Sequence, residues 1–299
     1  MITVRELRDD EVDLYVEVRT RVHPENPMPR AVVIEDRKGP SHVDLIAERG
    51  GEPLGVASAA NFGGAPDGDL AYVTIRVPRE NRRQGVGTAL HVRASEHAES
   101  LGKSRFYCVV RHDDADSLAY YSARGYEEVG RMQDVFLELA TAEVEPVVPE
   151  GMEIVALAPE LDRGAYEVAL EADADIPTGE QHASGTFEQW SEHNLGAFLL
   201  RDLSFVAIDN GRVVGYALLH QHKEDTAEHA MTGVARAARG RGVASALKQA
   251  QIAAAKQTSL TWLRTQNDLG NAPMRHVNEK LGYERRFEWV HLTGPLLRR

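Results

Sequence analysis

Two short runs place arginine and glycine at the same spacing in separate parts of the chain: RRQGVG at 82–87 and RGRGVA at 239–244. Each follows an apolar stretch and precedes residues at helical spacing, so each reads as a turn between a strand and a helix. Such a turn presents bare backbone N–H groups at the positive end of the helix, which attracts phosphate. The small residues Gly85, Gly87, Gly242 and Ala244 let a phosphate approach the backbone, and Arg82, Arg83, Arg239 and Arg241 add charge. Two rival phosphate-binding patterns fail. No Gly-x-x-x-x-Gly-Lys-Ser/Thr string occurs, and Leu90 and Leu247 stand where a dinucleotide fingerprint needs its third glycine.

Other reactive residue types are sparse. The single cysteine, Cys108, lies in the apolar run Phe106 to Val110 and reads as a buried thiol with no disulfide partner. His220, His222 and His229 sit close together, but His-x-His on a strand without companion ligands reads as surface, so no metal is expected.

The elements that hold these turns follow from a repeat. RRQGVGTAL at 82–90 recurs as RGRGVASAL at 239–247, and Gly125-Tyr126 recurs as Gly282-Tyr283. Upstream, AERGGEPLGVAS (47–58) resembles AIDNGRVVGYAL (207–218), with Ala47, Gly51 and Gly55 matching Ala207, Gly211 and Gly215. Three blocks in one order at nearly one spacing indicate duplication. The segment 141–151, TAEVEPVVPEG, has little to pack and reads as a linker. The expected organisation is a first domain over 1–145, a linker at 146–151 and a second domain over 152–299.

Within the first copy, Ile2–Val4 is a strand candidate and Val12–Val22 a helix, while Asp44–Ala47 and Gly55–Ala60 form a hairpin. Leu70–Val77 alternates as a strand and stops at Pro78. Val86, Leu90, Ala94, Ala98 and Leu101 lie on one helical face, with Gly102 following as a cap. Phe106–Val110, a short helix over Asp116–Arg124 capped by Gly125, and a closing strand at Val135–Leu139 complete the copy. The second copy repeats the order, with Asn271 as a helix N-cap, Pro273 in its first turn and Gly282 ending it. Each half is therefore a mixed α/β domain.

Composition restricts the rest. With 34 basic and 46 acidic residues the formal charge is −12, which repels phosphate backbones and favours cationic small molecules or basic peptides. Nucleic acid is not an expected partner. No apolar run approaches the roughly 18 residues of a membrane span, and Met1–Asp13 is crowded with charges where a signal peptide would be apolar. A cytoplasmic protein without a membrane partner is expected.

The order strand, Arg-x-x-Gly-x-Gly/Ala, helix, strand, then a short helix closing on Gly-Tyr resembles the GNAT acetyltransferase superfamily over nearly all of both halves. TGVARAARGRGVASALK followed by TQNDLGNAPMRHVNEKLGY is especially similar to bacterial tandem GNAT N-acetyltransferases. The resemblance implies acetyl-CoA as cofactor. It gives the coenzyme A pyrophosphate to Arg82, Arg83, Gln84, Gly85, Val86 and Gly87, and in the other half to Arg239, Gly240, Arg241, Gly242, Val243 and Ala244. It gives the pantetheine arm to the strands ending at Val77 and Val234, and a cofactor-side asparagine to Asn271, where the first half has Asp114.

Acetyl transfer to an amine needs a base for the ammonium, donors for the carbonyl oxygen and a proton for the departing thiolate. The resemblance places a tyrosine acid four residues before the closing glycine, at Tyr121; Asn278 stands there in the second half. Tyr121 also reads as an aromatic on an apolar helix face, and Tyr120 is the weaker acid candidate. For the base, the strands before the turns offer Asp69, Glu228 and His229. The oxyanion donor belongs near Ile75 or Thr232 on a bulged strand.

Acceptors in this superfamily are recognised by variable early helices, here Tyr15–Arg30 and Leu170–Asn194. Glu171, Asp173, Asp175 and Glu180, with Trp190, read either as a pocket for a cation or as a solvated loop with a core tryptophan. The expected activity is acetyl-CoA-dependent N-acetylation of a primary amine, cationic and either small or peptidic, by direct attack. The alternative is a non-catalytic acyl-CoA-binding or sensing protein. A monomer is preferred to a homodimer.

Overall fold

Period-two alternation in the strands sends neighbouring side chains to opposite faces, and in both copies each face meets its own helices. The structure is a computed structural model describing residues 1–24, 27–62, 68–175 and 185–298. It divides into one unit of Met1–Val129 with Val290–Arg299 and another of Gly130–Trp289.

The first unit contains β1 (Thr3–Glu6), α1 (Val12–Val22), α2 (Arg30–Asp36), β2 (Val43–Arg49), β3 (Glu52–Asn61), β4 (Leu70–Arg76), α3 (Val86–Ser100), β5 (Arg105–Arg111), α4 (Ala115–Ser122) and the start of β6 (Glu127–Glu138). Its strands lie in the order β1-β2-β3-β4-β5, and beyond β5 comes the part of the chain's last strand that belongs to this unit, 290–295. On one face Tyr15 and Val18 of α1 and Val33 of α2 pack on Ile46 and Val56. On the other, Val86, Leu90, Ala94 and Ala98 of α3 and Tyr121 of α4 cover Leu45, Ala57, Val73, Phe106 and Cys108. α1 has the bounds expected from sequence; α2 adds a helix that no apolar periodicity announces.

The second unit contains residues 130–138 of β6, then β7 (Met152–Ala156), α5 (Asp162–Asp173), α6 (Phe187–Asn194), β8 (Phe205–Asp209), β9 (Arg212–Lys223), β10 (Thr226–Val234), α7 (Val243–Ala255), β11 (Trp262–Asp268), α8 (Ala272–Lys280) and the start of β12 (Glu284–Pro295). Its strands run β7-β8-β9-β10-β11-β6. Among the described residues no helix is long and apolar enough to cross a membrane.

Each unit parts two parallel strands. β4 pairs β5 only over Leu70–Tyr72 with Arg105–Tyr107, and β10 pairs β11 only over Thr226–Glu228 with Trp262–Arg264. Beyond those pairs the strands diverge, leaving backbone amides on the facing edges without a ladder partner. The bulge expected beside Thr232 occurs: the β10 register against β9 shifts between His229 and Met231. The β3–β4 register around Ile75 is regular.

The repeated glycines have matching causes. A Cβ at Gly55 would stand 2.9 Å from the Arg76 carbonyl oxygen and 3.2 Å from Val86, and one at Gly215 would stand 2.7 Å from Val243. A bare backbone there lets α3 and α7 lie close against their sheets. Gly85 and Gly242, at φ +87° and +84°, are the left-handed residues from which those helices start.

Candidate active site

The divergence of β4 and β5 opens a cleft of about 430 Å³ in the first unit, within the roughly 300–1,000 Å³ typical of ligand pockets. Val22 and His23 line it from the α1 side; Gly85, Gly87 and Thr88 line it from the α3 side, with Ser117, Tyr120 and Tyr121 of α4. The space therefore runs through the sheet, open to both helical layers.

Its charge is set against that of the whole chain. Arg76, Arg82, Arg83, Arg111 and Arg124 line it, against Asp114 and Asp116. Arg82 is committed: its Nη1 and Nη2 donate to Asp114 at 3.0 Å each, and its Nε donates to the Val77 carbonyl at 3.1 Å. It ties the end of β4 to the start of α4, where Asp114 accepts from the Ser117 N–H as N-cap. Burial alone would raise the Asp114 pKa, but the hydrogen bonds from Arg82 and Ser117 leave it lowered. Asp114 stands where the resemblance expects an asparagine, and Arg82 faces it. Gln84 turns away from the cleft, accepting from Arg49 and donating to the Glu80 carbonyl.

Arg83 is exposed and, among the described residues, has no carboxylate partner; it adopts φ +61°, a left-handed conformation that Gly240 supplies in the other copy. Arg124, which sequence reasoning passed over, stacks on the Tyr120 ring at 3.7 Å and donates to the Tyr120 carbonyl and Thr88 Oγ1. Its buried Nε has no partner. Together with the first-turn N–H groups of α3, these two guanidiniums form a cradle for phosphate oxygens. The chemistry of the donors fits the diphosphate of an acyl-CoA, and the unpaired edge of β4, with Val77 just beyond it, fits its amide-bearing arm.

Tyr121 lines the inner part of this cleft and is 5% exposed. Burial, reinforced by neighbouring Cys108 and Tyr126, pushes its phenol well above the ordinary tyrosine value, so at neutral pH it is a proton donor. Burial likewise pushes the Cys108 thiol up to about 12, so it is no nucleophile. Tyr120 donates to the Gly87 carbonyl at 3.2 Å and shares a hydrogen bond with His91 Nδ1, whose Nε2 meets the Tyr126 hydroxyl at 2.9 Å. Burial, with Arg124 nearby, lowers His91 to about 4, so the ring is neutral. This helix-buried network left no mark in the motif pattern.

Asp69, the base expected for the first unit, does not meet the cleft; Glu228 and His229, expected for the second, belong to the other unit. Asp69 precedes the first residue of β4 and lies near Arg105 and Ser104, at the paired end of the strands; with about 3.3 Å per residue it stands roughly 20 Å from Arg76. Glu228 sits beside Arg264 and His222 before the β10 bulge; burial raises its pKa while Arg264 opposes this. His229 is 5% exposed, bonded to Gln251 at 2.9 Å and in a short contact with the Tyr283 hydroxyl. Burial, aided by Lys248, drives its pKa well below the ordinary value, and its nitrogens are spent inside the core.

The second unit's turn is built differently. Arg239 repeats the bond to the strand end, at 3.1 Å to the Val234 carbonyl, but its carboxylate is Asp175, at 2.7 Å, and Arg241 pairs with Asp209 at 2.7 Å. Gly240, Gly242, Val243 and Ala244 keep the turn-and-helix geometry, and Asn271 caps α8 through Met274 N–H. Where Tyr121 stands in the first unit, Asn278 is buried and donates to Asn267 at 2.8 Å. The acidic set expected to hold a cation is engaged otherwise: Asp175 is held below the usual carboxylate range by Arg236 and Arg239, and Glu171 accepts from the Arg236 N–H. Asp173 and Trp190 are buried, and Glu180 lies outside the described residues. His220 is bonded to the Asn194 carbonyl and His222 to Arg264; among the described residues no cluster of three or more His, Cys, Asp or Glu is placed to hold a metal.

Comparison with known proteins agrees with this fold. A crystal structure of a GCN5-related N-acetyltransferase from Sphaerobacter thermophilus superposes with a TM-score of 0.82 at 19% identity, covering 99% of this chain and 96% of that one. A tandem GNAT protein from the clavulanic acid biosynthesis pathway gives 0.78 at 20% identity, covering 100% of both chains. A glucosamine N-acetyltransferase region of a fungal multi-domain β-N-acetylglucosaminidase gives 0.77 at 17%, over 98% of this chain and 38% of that one. No match is found among curated proteins. The model of the Acetyltransferase (GNAT) family matches residues 5–126 and again 166–283. The chain belongs to the GNAT acetyltransferase family and carries two GNAT domains in tandem.

Proposed function

We propose that this protein is an acetyl-CoA-dependent N-acetyltransferase whose first unit performs the transfer to a primary amine. The observation that carries the reading is the cleft between β4 and β5, with the α3 N-terminus, Arg83 and Arg124 at one end and Tyr121 within it. In this reading the Arg82–Gly87 turn would hold the diphosphate, the free edge of β4 with Val77 just beyond it would hold the pantetheine arm, and Tyr121 would face the thioester. The acetyl group is the chemistry the cofactor supplies. The amine nitrogen, having lost a proton to solvent, attacks the thioester carbon within the ternary complex. The new C–N bond forms as the C–S bond breaks, the Tyr121 hydroxyl protonates the departing sulfur, and the second proton, released by the acylated nitrogen, returns through solvent to the tyrosinate.

The second unit is read as a domain retained without turnover, because Asn278 has no acid proton and spends its amide on Asn267. Calorimetric titration with acetyl-CoA tests both parts. Gly87→Trp fills the first cleft at a residue whose Cβ would have room, 3.9 Å from Tyr120, and Ala244→Trp makes the matching change in the other unit. Loss of binding and of acetylation in Gly87→Trp alone is the expected result. No heat with the intact protein overturns the reading.

A further inference from the structure

Arg76 is the one lining arginine that neither the cofactor cradle nor an ion pair accounts for. Its strand neighbour in the register is Val56, which packs with Tyr15 and Val18 of α1, so Arg76 faces the α1–α2 layer, opposite the α3 cradle. Among the described residues its Nη1 donates only to the Ile75 carbonyl, at 3.3 Å. A second guanidinium, that of Arg19 on α1, shares this face: it donates to the Tyr15 hydroxyl at 3.4 Å and lies over that ring. Among the described residues neither arginine has a carboxylate within 4.0 Å. Asp36 at the end of α2 feels Arg19 but makes no ion pair with it.

Burial, with repulsion from the second guanidinium on this face, lowers the Arg76 pKa from its ordinary value. The surrounding groups are the phenols of Tyr72, Tyr121 and Tyr15, which donate hydrogen bonds but carry no charge at neutral pH. A partly buried cation held without a counter-ion is costly unless something supplies one. An acceptor entering from the α1 side passes Arg76 before it reaches the thioester beside Tyr121. We infer that the amine acetylated by the first unit also carries an anionic group, a carboxylate or a phosphate, which Arg76 receives with Arg19 reinforcing the positive field. The inference rests on the proposed acetyltransferase activity and replaces the cationic acceptor that net charge suggests. Net charge averages the whole surface, whereas the pocket wall sets recognition.

The test pairs amines that differ only in the anion: L-tyrosine with tyramine, L-lysine with cadaverine, and glucosamine 6-phosphate with glucosamine. Release of free coenzyme A thiol is followed for each, after acetyl-CoA binding to wild type, Arg76→Gln and Arg76→Lys has been measured. The expected result is turnover favouring the anionic members. Arg76→Gln should raise their KM by about tenfold or more, the effect of losing a charge-assisted hydrogen bond, and Arg76→Lys should restore part of it, with acetyl-CoA affinity unchanged throughout. The amino-acid and sugar-phosphate arms separate carboxylate from phosphate. Equal or better turnover of the uncharged or cationic partners overturns the inference, as does acetyl-CoA binding without turnover of any anionic member. A matching loss of acetyl-CoA affinity in Arg76→Gln assigns the arginine to the cofactor instead. Absence of acetyl-CoA binding to wild type is a separate outcome that removes the activity itself.

Discussion

Replacing Lys248 with methionine should stabilise the second unit, most at and below neutral pH. Lys248 lies on α7, is 1% exposed, and has its ammonium 5.4 Å from the Tyr283 ring centre. Burial lowers its pKa from 10.5 to about 7. The lowered value means that between pH 7 and 10.5 the unfolded chain holds a proton the folded one has released, so stability rises with pH through that window. Below pH 7 the full penalty applies. The shift of 3.5 units (10.5 minus 7) corresponds to an upper bound of about 5 kcal/mol at 1.36 kcal/mol per unit; relaxation around the ammonium makes about 2 kcal/mol a fair expectation. Methionine keeps the length of the side chain, so little cavity or overpacking opposes the gain. Losing the cation also removes one influence that lowers the pKa of His229. Urea unfolding of wild type and Lys248→Met at intervals from pH 6 to 10, with a probe in the second unit, measures the difference. The gap should be largest near pH 6 and close toward pH 10.5. A variant that is less stable than wild type near pH 6, or a gap that does not change with pH, refutes the argument.

Two further outcomes follow from the first unit. Tyr121→Phe should lower kcat by about 100-fold through loss of a general acid, while acetyl-CoA affinity by calorimetry stays the same; unchanged kcat would move the proton to another donor. Arg83→Gly should raise stability by about 0.5–1 kcal/mol, because a left-handed arginine costs more than glycine's extra unfolded-state freedom, and should weaken acetyl-CoA binding; lower stability in thermal unfolding would show that the turn is not strained there.

The repeat, the strand–turn–helix order and the helix N-caps were legible because each rests on local chemistry: Gly55 and Gly215 exclude a Cβ in the same place, and Gly85 and Gly242 need the same positive φ. Which sheet receives the last strand of each copy was not legible. An alternating segment such as 290–295 satisfies any open edge, so its pattern does not name the unit it joins. The base candidates Asp69, Glu228 and His229 were chosen as titratable residues near a strand, but a strand is longer than a site. The first unit's cleft lies at the diverging end of β4 while Asp69 lies beyond its paired end; Glu228 and His229 stand in the other unit, where β10 begins to part from β11. Arg76 was passed over because an arginine at a strand end ordinarily points to water; only the absence of a carboxylate in three dimensions marks it.

Comparison of the copies position by position separates what the fold requires from what the chemistry requires. Positions that shape the backbone have kept their type: Gly55 with Gly215, Gly85 with Gly242, Tyr126 with Tyr283. Positions facing the space between the diverging strands have not. Val110 and Tyr121, which line the cleft of the first unit, correspond to Asn267 and Asn278, which bond to each other in the second. That amide pair leaves Asn267 Nδ2 and Asn278 Oδ1 buried without partners, an expensive arrangement for a core that only had to pack. On the preceding helix the copies place a basic side chain at one equivalent position: His91 is bonded to two tyrosines, whereas the Lys248 ammonium lies over the Tyr283 ring and near the neutral His229. In the first unit His91, Tyr120 and Tyr126 thus satisfy one another beside an open cleft, while the second unit carries a partly unsatisfied amide pair at the equivalent of two cleft-lining positions. On the proposed reading, catalysis belongs to the copy whose buried hydroxyls and guanidiniums face the cleft.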